Sequence, residues 1–121
     1  MDAKYAVLAF QHGERLKSEF TLLSQLLTIL SSLKGEKRVG ARAILDQCIE
    51  TISLDLLLAS RDCSEDERTE FDRARTALDE IAIYLDRGEL EQAIEQAGTA
   101  ISAATTVASH GWEGLVQNGY F

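Results

Sequence analysis

Residues 90–109 read LEQAIEQAGTAISAATTVAS. Leu90, Ile94, Ala97, Ile101, Ala104 and Ala108 stand at spacings of 4, 3, 4, 3 and 4, which is the period of one face of an α-helix. That face is mostly alanine, so a helix packed on it must come close. A long helix with a small-residue face needs helical neighbours of similar length, and the rest of the chain supplies them.

Upstream, Phe71, Ala74, Leu78, Ile81 and Leu85 repeat at 3, 4, 3 and 4. Ser64 with Glu67 three positions later reads as a capping box at the start of that helix, and Glu65, Asp66 and Glu67 put negative charge at its positive end. Gly88 suits the left-handed position just past its end. Further back, Leu16, Phe20, Leu23, Leu27 and Leu30 mark the first helix at 4, 3, 4 and 3. Its seam extends through Gly13, Ala9 and Ala6, which predicts a helix from about Ala3 to Lys34. The stretch GEKRVG, residues 35–40, reads as a turn between Gly35 and Gly40. A second helix is expected over Ala41 to Ser60, with Ile44, Leu45, Cys48, Ile49, Ile52, Leu56 and Ala59 on a broad face. Leu54, Leu57 and Leu58 widen that face, so this helix is expected to be the most buried. Short turns after the first and third helices make neighbours antiparallel. The expected fold is all-α: one up-down-up-down four-helix bundle spanning residues 1–121, with a short C-terminal aromatic tail.

The tail, ASHGWEGLVQNGYF, holds the only Trp and ends in two aromatic residues. In the expected topology it lies at the same pole as YAVLAF, residues 5–10, which is apolar on every side and must be covered all round. A first helix of about 45 Å would overhang neighbours of about 30 Å. The tail is therefore expected to fold back, with Trp112, Leu115, Tyr120 and Phe121 against Val7, Leu8 and Phe10, unless a second chain supplies the same cover. Gly111, Gly114 and Gly119 would permit the reversal.

Charge narrows the partners. Residues 1–60 carry seven Lys/Arg and seven Asp/Glu, whereas residues 61–121 carry five against thirteen, so the net charge of −8 sits in the second half. A phosphate backbone is repelled by such a surface, which argues against a nucleic-acid partner. The exception is the basic run of Lys34, Lys37, Arg38 and Arg42, read as a solvated turn or a docking point for an acidic or phosphorylated partner. No window reaches the ~18 apolar residues of a membrane span, and the N-terminus lacks the pattern of a cleaved leader. Two cysteines, Cys48 and Cys63, make neither a disulfide framework nor a Cys-x-x-Cys pair, and fit a reducing, cytoplasmic setting.

Residues 81–100, IAIYLDRGELEQAIEQAGTA, look like one tetratricopeptide-type helical hairpin, with Tyr84, Gly88, Ala93 and Ala100 at the corresponding offsets. No second copy follows, and a solenoid needs about three. The same stretch resembles the HEPN-type helical bundles of toxin and RNA-processing systems, whose active members carry an Arg and then a His on one helix. Here Ala103, Ala104, Thr105 and Thr106 precede His110, and no Arg follows Arg87. The ending, through His110, Gly111, Trp112, Gly119 and Phe121, is similar to that of a small archaeal family of helical domains of unknown function. That resemblance implies a fold and no activity.

The only histidines are His12 and His110, and neither has a Glu three residues before it, as a bundle-type metal site requires. GEKRVGAR lacks the glycine spacing and terminal Lys-Ser/Thr of a phosphate loop. The reading is a non-catalytic protein without cofactor or metal, acting through protein association as a homodimer. Its candidate binding residues are Val7, Phe10, Trp112, Leu115, Tyr120 and Phe121, with Lys37, Arg38 and Arg42 second.

Overall fold

A computed structural model describes residues 2–120. Four helices follow one another: α1 (Ala3–Ser32), α2 (Gly35–Asp62), α3 (Glu65–Asp86) and α4 (Leu90–Gln117). They form an up-down-up-down bundle in which α4 packs against both α1 and α3, while α1 also packs on α2 and α2 meets α3 only sparsely.

The α1–α4 contact is the spine of the molecule. Ala93, Ala97, Ala100, Ala103 and Ala104 are all within 2% of complete burial, as are Leu16, Phe20, Leu23, Leu27 and Leu30 on α1. Large side chains on α1 thus meet small ones on α4. Leu90, Ile94 and Ile101, expected at the centre of the α4 face, sit half-buried at its edge instead. The alanines next to them take the centre because only they allow so short an interhelical distance. Towards the pole the approach tightens further. A Cβ on Gly13 would lie 2.5 Å from the Ala108 backbone nitrogen, and one on Gly111 would run into the backbone of Phe10 and Ala6.

Three expectations are corrected. The stretch 35–40 is the first turn and a half of α2, and only Leu33 and Lys34 separate the helices. Gly35 at φ 62° makes the sharp reversal that a six-residue turn was expected to make. Second, α2 buries only Leu45, Ile52, Leu56 and Ala59, while Leu54, Leu57 and Ile44 are 59%, 58% and 57% exposed. It is the least covered helix, because its apolar residues wrap more of its circumference than α1 and α3 can reach. Third, the chain does not reverse at Gly111 and Gly114. Both lie inside α4, which stays helical to Gln117.

The α3 boundaries fall where expected. Ser64 is the N-cap residue, but its hydroxyl donates to the Glu67 carboxylate and no side chain caps a backbone N–H. Gly88 takes φ 72° after Arg87.

Candidate functional site

The first and last segments meet at one pole. Phe10 of α1 and Trp112 of α4 have ring centroids 5.8 Å apart with planes inclined at 44°, a favourable tilted pair. Ala6 and Ala9 are buried beneath them, and Leu115 is 7% exposed. His12 on α1 contacts Asp62, the last residue of α2, at 3.2 Å. The turns of α1 before His12, and the α4 turns paired with them, therefore run past the end of α2. The overhang expected of α1 alone is shared by α1 and α4, and the glycine-lined crossing holds the two together.

This projecting end shelters only part of its apolar surface. Tyr5, Val7, Trp112 and Val116 are about 40–45% exposed and Tyr120 is 62% exposed. Of the candidate residues, Phe10 and Trp112 come together, Leu115 is buried on the same helix as Trp112, Val7 and Tyr120 face outward, and Phe121 lies outside the described residues.

Both histidines sit near the pole, each with its own carboxylate. His12 Nε2 meets Asp62, while His110 Nδ1 is 3.9 Å from Glu67. Glu67 is 1% exposed; one oxygen accepts from Ser64, and Oε1 has no hydrogen-bond partner. Between α2 and α3, the Cys63 thiol donates to the Ser60 carbonyl, and burial pushes its pKa up. A thiol with a raised pKa is held as the less nucleophilic neutral form. Among the described residues, no group of three His, Cys, Asp or Glu side chains is placed to hold a metal ion.

The second candidate patch lies on the opening turns of α2, where the helix start carries Lys37, Arg38 and Arg42. Arg38 donates to the carbonyls of Leu30 and Leu33, closing the end of α1. Arg42 donates to Asp46, to the Leu85 carbonyl and to Asp86, and so ties the start of α2 to the end of α3. Lys37 stays exposed.

A further feature was not read from the sequence. In the groove between α1 and α2, Arg15 Nε lies 3.4 Å from Glu19 and 3.5 Å from Asp55. Both Glu19 carboxylate oxygens are buried without a hydrogen-bond partner. Burial, followed by the neighbouring Asp55 carboxylate, pushes the Glu19 pKa up to about 7 against the lowering pull of Arg15. Glu19, Leu22, Gln47, Cys48, Thr51 and Ile52 line an apolar hollow of about 150 Å³ there. One signal was available: residues 20–33 hold no charged residue at all, more neutrality than a single buried stripe requires.

The fold is thus an antiparallel helical bundle whose ends and one flank keep apolar side chains outside. The chain matches no family model, no curated protein and no solved structure. No helix among the described residues is long and apolar enough to cross a membrane.

Proposed function

We propose that the protein is a non-catalytic association module, a cytoplasmic helical bundle that works as a homodimer by burying apolar surface against protein. One observation carries this reading: among the described residues, large apolar side chains remain 39–72% exposed at thirteen positions. Singly scattered apolar residues on a surface are ordinary, whereas grouped ones mark association. Five of these stand at the projecting α1–α4 end, and most of the rest share the outer flank of α1 and α2. All of these at the pole except Tyr120, and all of those on the flank, sit on helices, so little ordering entropy opposes their burial. Neither histidine is placed with an activated nucleophile, and Cys63 is held neutral, which favours binding over covalent chemistry.

The test is sedimentation of the full chain at micromolar concentration. A dimer is expected, and a single monomeric species would overturn the association reading as a homodimer. Incubation with RNA checks the enzymatic alternative, since cleavage that disappears in His110→Ala would replace this reading with a nuclease.

A further inference from the structure

The outer flank of α1 and α2 differs from the rest of this acidic molecule. On α1, Leu22 and Ile29 are seven residues apart and so share a face, 50% and 52% exposed. On α2, Ile44, Thr51 and Leu58 repeat at the same interval, with Leu54 beside them. The hollow that joins Leu22 to Gln47 and Thr51 puts the two rows side by side. Ser18, Gln25, Ser32 and Gln47 flank them; the heptad rows themselves hold no charged residue between Arg15 and Ser32 or between Ile44 and Leu58, and the charges in the groove beside them, Arg15, Glu19 and Asp55, pair with one another.

We infer that this apolar flank of α1 and α2 is the contact surface between two copies of this chain. The inference rests on the association reading and names its surface and partner. Charge favours a second copy as the occupant. Each copy carries −8, and like charges brought together oppose association. A strip whose exposed rows hold no carboxylate, and whose groove charges Glu19 and Asp55 are paired with Arg15, lets two acidic molecules meet with less of that repulsion. Charge depletion at the centre with a polar rim is also the composition of protein interfaces.

Area agrees. Five aliphatic side chains about half exposed offer on the order of 500 Å² of apolar surface. With the Ser, Thr and Gln rim the flank approaches the ~800 Å² per partner of a stable dimer. The spacing also suits a two-fold axis, which requires the same patch on both copies. With two antiparallel α2 helices crossing near Thr51, Leu54 of one copy faces the hollow beside Gln47 and Cys48 of the other. Leu58 then faces Ile44. The most exposed aliphatic side chain of the strip, Leu54 at 59%, thus meets the hollow.

The experiment is sedimentation equilibrium of wild type, Leu54→Glu and Trp112→Ala at matched micromolar concentration, with helical circular dichroism as the folding control. Leu54 is exposed, so Leu54→Glu should remain helical while its dimer dissociation constant rises at least 100-fold. Trp112→Ala should stay dimeric. A dimeric Leu54→Glu overturns the assignment of this flank while the association reading survives, as does a monomeric Trp112→Ala beside it. Ile44→Glu provides a second variant at the other end of the strip with the same expected loss, should Leu54→Glu lose helicity. A monomeric wild type overturns both, and leaves the strip to a different occupant.

Discussion

Three glycines of the chain separate by what surrounds them. Gly13 and Gly111 are where α1 and α4 touch backbone to backbone, and a methyl group there has nowhere to go. Alanine improves helix propensity by about 1 kcal/mol over glycine, but forcing two packed backbones apart costs more. Gly13→Ala and Gly111→Ala should each destabilise the protein by about 3 kcal/mol, read as a lower urea midpoint at unchanged slope. Gly98 lies on the same helix with open space beside it, so Gly98→Ala should instead raise stability by up to about 1 kcal/mol. Equal effects at Gly98 and Gly111 would mean the close crossing is absent. Glu19 is informative for a different reason. Its native pKa of about 7 lies above the ordinary 4.5, so between those values the folded chain holds a proton that the unfolded chain has released. Stability therefore falls as pH rises from about 4.5 through about 7, and levels off above. The loss is no more than roughly 3 kcal/mol, and solvent screening of the partly exposed carboxylate makes it smaller. Glu19→Gln should flatten this part of the pH–stability curve and be the more stable protein at pH 8. A mutant curve parallel to wild type across that window would refute the assignment.

Among the helices, α2 is the one held least by its own bundle. It buries four residues, whereas α4 of equal length buries ten, and its contact with α3 is the sparsest of the four main helix–helix contacts. Arg42 partly compensates, since one guanidinium reaches Asp46 in its own helix and both Leu85 and Asp86 at the end of α3. Asp86 is 72% exposed, so the charge contribution is small and the tie is mainly geometric. Arg42→Ala should cost only about 0.5–1 kcal/mol globally, but should speed amide exchange over residues 35–47 selectively. Uniform acceleration along the chain would show that the arginine does not anchor this end. The same element explains a misjudged sequence signal. Leu54, Leu57 and Leu58 widen the apolar arc of α2, and within one chain a wide arc predicts deep burial. A four-helix bundle can cover only the part of that arc facing inward. The remainder stays on the outer flank, where a second molecule can reach it.

For the molecule as a whole, the helix count, the antiparallel order and the α3 boundaries were legible because each rests on local chemistry. Ser64, Gly88 and the 3–4 spacing of Phe71 to Leu85 act within a few residues of themselves. The meeting of the chain's first and last segments was legible too, since it follows from helix order. The path of the last segment was not. Gly111 and Gly114 have the composition of a reversal, yet they remain helical because α1 passes directly over Gly111, and a helix there loses no side-chain contact by having none to offer. Likewise GEKRVG looks like a loop by composition, while with the backbone wound into α2 Arg38 reaches the end of α1 and Arg42 the end of α3. The sequence alone determined a helical bundle, its order and its acidic half, because periodicity and charge are properties of the chain. Only the tertiary structure decided which glycines are crossings, which arginines are ties and which leucines stay outside. Each of those depends on a neighbour distant in sequence, whose nearness no local pattern records.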